Sequence, residues 1–300
     1  MDGSDDQSAV DSVQQKALDI EYHRYAAGGY DDAVTRSFHF YHVYSLHRWA
    51  RRLVLQRPRA LVLDLGTGTG VVACTMASFG CRVKGVDHSL DMLAKATARA
   101  KARGVASSIQ FELADCESLK YPDNSFDAVT IQGVLHHLPD IMPTLKHAVR
   151  VLKPGGELYV SEPCAETTWI FRWAHLALWP LRVLRNAISG RKPEPSVSEH
   201  EKPISGAELV AAIQSLGLET ETEFLVQFGA VRFLPEWMKI WVILLLSAPT
   251  RRKRGNLVFI SARKSISVTR QIVKPSIISA QTPITTIAET RVSPSPVSRA

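Results

Sequence analysis

Val62-Leu63-Asp64-Leu65-Gly66-Thr67-Gly68-Thr69-Gly70 passes from an apolar β-type run into three alternating glycines, then into a helical pattern beginning near Val71. Glycines in such a turn allow tight backbone geometry and let a ligand approach the main chain closely. The first N–H groups of the following helix have no intrahelical partner and face the same spot. A glycine-rich loop by itself does not choose the ligand, because mononucleotide and dinucleotide sites share this turn. A P-loop is excluded, since no Gly-Lys-Ser/Thr follows.

Two residues narrow the choice. Val71 stands where a dinucleotide fingerprint wants glycine, which disfavours an NAD-dependent dehydrogenase without removing it as a rival. Asp64 ends the strand where a diphosphate would be repelled and where an amine or sulfonium cation would be welcome. The next apolar run ends Val86-Asp87-His88-Ser89, with Asp87 21 residues beyond Gly66, the spacing at which an acid accepts hydrogen bonds from ribose hydroxyls. The third ends Leu113-Ala114-Asp115-Cys116, bringing another acid to the same rim. Asp115 suits an exocyclic amine, with a turn role as the competing reading.

The segments Asp64–Gly70, Asp87 and Ala114-Asp115 resemble the motifs of class I S-adenosylmethionine-dependent methyltransferases, the small-molecule and lipid/quinone group above all. Phe126-Asp127-Ala128-Val129 with Val134-Leu135-His136-His137-Leu138 is similar to their fourth-strand motif, and Leu152-Lys153-Pro154-Gly155-Gly156 to the turn before their fifth strand. The likeness covers roughly residues 40 to 163. It implies S-adenosyl-L-methionine as cofactor. Asp64 with Gly66, Thr67, Gly68 and Gly70 would hold its methionine end and Asp87 its ribose. His88, Asp115 and Cys116 would border the adenine, and Gln132-Gly133 would line the site. Tyr25 and Tyr30 either close over the cofactor or simply pack. The cofactor carries an activated methyl, so proximity and alignment do most of the work. A general base is needed only for an acceptor that loses a proton; His136 and His137 are weak candidates, and no catalytic residue is assigned. No metal is implied.

Outward from this stretch, apolar runs alternate with helical patterns, the signature of a parallel sheet covered by helices. Expected strands are Ala60–Leu65, Arg82–Val86, Ile109–Leu113, Phe126–Ile131, Glu157–Val160, Glu219–Phe228 and Leu257–Ala262. Ser89 should cap a helix reaching Ala102 and ending at Gly104; Met142–Leu152 should form another, with Pro154-Gly155-Gly156 as its stop. A further helix, capped by Ser205, runs to about Leu216. The fold class is therefore α/β, doubly wound and mostly parallel. The resemblance adds a seven-stranded Rossmann-like order with the last strand antiparallel between the fifth and sixth.

Of 300 residues, 45% are hydrophobic and 22% charged, enough for a sizeable core. The four cysteines have no disulfide or zinc spacing and read as buried apolar residues. The formal charge of +7 divides unevenly: residues 251–300 carry +9, residues 1–20 carry −4, and the remainder only +2. The excess sits in a tail, which argues against nucleic acid as partner. Residues 1–13 read as a disordered acidic start without a leader, 14–264 as the methyltransferase domain, and 265–300 as a disordered basic tail rich in Ser, Thr and Pro. A cytoplasmic location is expected.

Two insertions, 164–204 and 229–256, hold five of the six tryptophans, including Trp169, Trp173, Trp237 and Trp241. Both follow parallel strands, so both should rise over the ligand-binding edge as a cap. Arg251-Arg252-Lys253-Arg254 follows the second. A lid selecting a small apolar or amphiphilic acceptor is one reading; peripheral docking on a membrane is the other. A methyltransferase-fold scaffold without catalysis is the rival of a different class. The acceptor and the oligomeric state are not legible.

Overall fold

Helix α1 (His39–Gln56) opens the described part of the chain and leads into strand β1 (Leu61–Leu65). The structure is a computed structural model, and it describes residues 39–164, 204–225 and 257–265. The acidic start 1–13, Tyr25 and Tyr30, nearly all of the insertions 164–204 and 229–256, and the tail past Ser265 lie outside the described residues. After β1 come α2 (Val71–Ser78), β2 (Arg82–Asp87), α3 (Leu90–Ala102), β3 (Ile109–Leu113) and β4 (Phe126–Gln132). Then follow α4 (Met142–Val151), β5 (Leu152–Pro163), α5 (Gly206–Ser215), β6 (Leu218–Leu225) and β7 (Leu257–Lys264).

The strands form one seven-stranded sheet in the order β3-β2-β1-β4-β5-β7-β6. β7 is antiparallel to both β5 and β6, while β1 pairs in parallel with β2 and β4. Alternate residues of a strand point to opposite faces, and β1 follows that rule. Val62 joins an apolar cluster with Leu46 and Trp49 of α1 and Met76 of α2. Leu63 and Leu65 join the other, with Leu145 of α4 and Leu209 and Ile213 of α5. Helices thus cover both faces, which is why the strands read as nearly continuous apolar runs. The caps form as expected: Ser89 accepts from Met92 N at 3.4 Å and Ser205 from Glu208 N at 3.3 Å.

Two features depart from the sequence reading. The Lys153-Pro154-Gly155-Gly156 stretch is not a stop before a short strand. β5 already pairs at Leu152 with Phe126, then skips to Glu157 opposite Ala128, so the intervening residues bulge out of the ladder. A Cβ on Gly156 would come within 2.8 Å of Lys153 O, so only glycine closes that bulge comfortably. The second departure is α1, an 18-residue helix absent from the expected elements. Leu46, Trp49, Ala50 and Leu53, at helical spacing, are buried, and Trp49 Nε1 donates to buried Glu157 Oε2 at 3.0 Å.

Candidate active site

The strand order reverses between β1 and β4, and ligands of open α/β sheets bind outside the carboxyl ends of strands at such a point. The glycine loop leaves β1 there. Gly66 has φ +61° and Gly68 φ +51°, backbone that side-chain-bearing residues seldom adopt. Around Gly66 the space is taken: an added Cβ would lie 2.4 Å from Val134 Cγ2. Around Gly68 it is open, with Gly66 O at 4.0 Å as the nearest atom. The loop thus shows bare main chain outward and is locked from behind. Gly70 closes it by N-capping α2 at φ +77°, where a Cβ would press on Ala96 of α3 at 2.9 Å.

Two buried carboxylates hold this loop. Asp64, 1% exposed, accepts from Thr67 Oγ1 at 2.6 Å and from Thr130 Oγ1 of β4 at 2.7 Å. Burial pushes its carboxyl up to about 6 against those hydroxyl bonds, and the neighbouring charge of Asp87 adds to the rise. Asp87, also buried, accepts from Gly68 N at 2.8 Å and from Ser89 N at 2.9 Å, tying the loop to the start of α3. Sequence reading gave both acids ligand duties only; their grip on the loop is what the structure adds. Thr67 and Thr69 are buried beside them.

The residues expected to border an adenine sit at the neighbouring strand ends. His88 is partly exposed beside Asp87, at 3.9 Å between Nδ1 and Oδ1. Asp115 Oδ1 accepts from Glu117 N at 2.9 Å, so the competing turn role is filled. Cys116 Sγ lies 3.5 Å from Thr144 Oγ1.

On the other side of the reversal, β4 ends at Gln132, whose Oε1 is buried and has no hydrogen-bond partner among the described residues. A buried acceptor left unmade is costly, so such an atom marks a place for a donor. Gly133 N donates to Ser161 O of β5 at 2.9 Å, and the chain then turns through Leu135–His137. Glu162 of β5, fully buried, reaches across: Oε1 accepts from Val134 N at 2.8 Å and Leu135 N at 3.0 Å, and Oε2 lies 2.7 Å from His136 Nδ1. Burial alone would raise this carboxyl, but the His136 bond and charge and the two backbone donors outweigh it and hold it below its usual range. The rings of His136 and His137 lie tilted by 39° with centroids 4.0 Å apart. Sequence reading missed Glu162; its signal was an acid two residues past the apolar run Leu158–Val160.

A separate cavity of about 670 Å³ runs along α1, lined by Tyr44, His47, Arg48, Arg51 and Phe79 among others. Phe79 caps the end of α2 remote from the glycine loop, so this cavity is not part of the site. Among the described residues no three His, Cys, Asp or Glu side chains gather to hold a metal, and no helix is long and apolar enough to cross a membrane.

An adenosyl amino acid suits these residues: bare backbone at Gly68, carboxylates beside it, and an unmet buried acceptor at Gln132 for an ammonium. Residues 63–160 match the family described as a methyltransferase domain. A demethylmenaquinone methyltransferase of Thermus thermophilus is 41% identical over 120 residues, 38% of this chain and 54% of that protein. Phosphoethanolamine N-methyltransferase 1 of Arabidopsis thaliana is 38% identical over 109 residues, 36% of this chain and 22% of that protein. The match thus spans about half or less of these curated relatives. A chain from the complex between the Haloferax volcanii Trm112 methyltransferase activator and a methyltransferase superposes with TM-score 0.52 at 21% identity, covering 82% of this chain and 98% of that one. That likeness speaks for the fold alone. Over residues 63–160 the chain is thus similar to the methyltransferase-domain family, and the strand order is in keeping with that likeness.

Proposed function

We propose that the protein transfers a methyl group from S-adenosyl-L-methionine to a small acceptor of apolar or amphiphilic character. The observation that carries this reading is the glycine loop, open in front of Gly68 and braced behind by Asp64 and Asp87. When bound, the cofactor supplies a methyl already activated on a sulfonium. The chain's share is then to bind, align and exclude water. Asp87 would take the ribose hydroxyls on its remaining lone pairs, since each of its oxygens can accept more than one bond. Asp64 offers negative charge toward the cationic methionine end through the loop it supports, and Gln132 Oε1 a hydrogen-bond acceptor. Asp115, Cys116 and His88 would border the adenine.

The acceptor's character is supported by the five tryptophans at 164–204 and 229–256, which lie outside the described residues, and by the quinone acceptor in one relative's name. The other relative is named for a polar acceptor, so the family does not choose between them. Peripheral membrane contact through the second insertion and Arg251–Arg254 belongs to the same proposal.

Calorimetric titration of the full chain with S-adenosylmethionine tests the reading. Saturable binding is expected, with Asp87→Ala weakening it by about 10- to 150-fold, the equivalent of a charge-assisted hydrogen bond worth roughly 1.5–3 kcal/mol. Absence of binding to the unaltered chain would overturn the proposal. Mass spectrometry of extracts incubated with methyl-labelled cofactor then identifies the acceptor.

A further inference from the structure

Glu162 is a fully buried carboxylate of this edge that lies within hydrogen-bond distance of a histidine ring. It comes from β5, 26 residues after His136 in sequence, and spends one oxygen on two backbone N–H groups of the turn and the other on the ring. The backbone bonds fix where the turn sits; the ring bond fixes how His136 is protonated. An ionised carboxylate can only accept, so at 2.7 Å His136 Nδ1 must carry the hydrogen. In the neutral ring the lone pair then belongs to Nε2. His136 keeps 14% of its side chain exposed while Glu162 keeps none, so the acid is sealed and the imidazole lies at the boundary.

We propose that Glu162 is a positioning residue that holds His136 as a general base, with Nε2 taking the proton of a protic methyl acceptor such as a hydroxyl, a quinol-type carbon acid or an ammonium. This rests on the methyl-transfer reading above and narrows its substrate class, because a tertiary amine or thioether has no proton to give. In the step, the acceptor atom supplies the electron pair of the new bond to carbon. The carbon–sulfur pair leaves on sulfur, and the acceptor's proton passes to Nε2. The imidazolium so formed faces the Glu162 charge, which stabilises it in a site where little water screens the pair. His137, whose tilted ring lies against His136 from the same turn, and Glu162 from β5 are the titratable groups that the described contacts set against the ring. The turn also touches the cofactor loop, since Val134 holds the space behind Gly66. That contact ties the turn carrying His136 to the glycine loop.

The test is nitrogen NMR of histidine-labelled full chain, with the His136 resonances identified by their loss in His136→Asn. The expected result is an Nδ1-protonated tautomer with a titration midpoint above the ordinary histidine value of about 6.5. Glu162→Gln should lower that midpoint by about one unit or more, with Glu162→Asp falling between. S-adenosylmethionine should lower it further than S-adenosylhomocysteine does, because only the former places a sulfonium charge near the ring. An Nε2-protonated tautomer in the unaltered chain, or equal midpoints in the two complexes, would overturn the proposal even if Glu162→Gln failed to fold. Failure of both nucleosides to bind in calorimetry would instead overturn the methyl-transfer reading, and this inference with it.

Discussion

The two halves of the carboxyl edge use buried acids differently. On the β1–β2 side, Asp64 and Asp87 spend their oxygens on hydroxyls and main-chain N–H groups of the glycine loop and α3. On the β4–β5 side, Glu162 divides itself between main chain and the His136 ring. The first arrangement makes a rigid cradle whose charge is a fixed field. The second keeps a proton-carrying side chain in one orientation. A cofactor with an activated group needs the first kind of support; an acceptor that must lose a proton needs the second. Val134 joins them, touching Gly66 with its side chain and Glu162 through its N–H.

That junction is where the comparison breaks most easily. Gly66→Ala would force a left-handed residue to carry a Cβ 2.4 Å from Val134 Cγ2. Backbone strain of about 1–3 kcal/mol and overpacking of similar size should lower stability by roughly 2–6 kcal/mol and remove measurable S-adenosylmethionine binding. Denaturant unfolding and calorimetry would read both. Adding Val134→Ala should restore part of the stability, because it removes the clash but leaves the strain. A double variant no more stable than the single would mean that the halves do not meet through this contact.

How far each half was legible follows from how local its chemistry is. Asp64–Gly70 is contiguous, and its glycines, hydroxyls and strand end announce a ligand loop before any packing is known. Ser89 and Ser205 likewise cap helices through neighbours three residues away. Glu162 and His136 meet only because β4 and β5 pair, and the expected fifth strand stopped at Val160, short of the acid. The Leu152–Gly156 bulge hid for the same reason, since Phe126 defines it from another strand. α1 is a different case. Its apolar spacing at Leu46, Trp49, Ala50 and Leu53 was present in the sequence, but the polar residues interleaved with it masked the stripe.

A smaller effect sharpens the electrostatic side of the contrast. With its carboxyl pushed up to about 6 by burial, Asp64 is charged at pH 8 and mostly neutral at pH 5. Because the folded value lies above the ordinary 3.8, Asp64 favours the folded state fully below about pH 4, and this contribution is lost as pH rises through 6. Cation binding should run the opposite way. S-adenosylmethionine affinity is expected to rise about tenfold between pH 5 and 8, and Asp64→Asn should flatten the profile. A rise that survives Asp64→Asn would assign the pH dependence elsewhere, the His136 side included.

The least effect is expected at Asp115, and its smallness is informative. Its Oδ1 already accepts from Glu117 N, and its backbone O accepts from Ser118 N at 3.1 Å, so the side chain shapes the turn after β3. Unlike Asp64 and Asp87 it is only partly buried, so solvent screens its charge and the loss of that charge costs little. Asn retains an oxygen in the same place and supports the same turn. Asp115→Asn should therefore leave the unfolding midpoint nearly unchanged and weaken S-adenosylmethionine binding only about two- to fivefold, within the range of one neutral hydrogen bond. Asp115→Ala should cost more in stability than in affinity if the turn is its main duty. The reverse ranking, affinity lost while the midpoint holds, would make Asp115 a direct adenine partner and move it into the same class as Asp87.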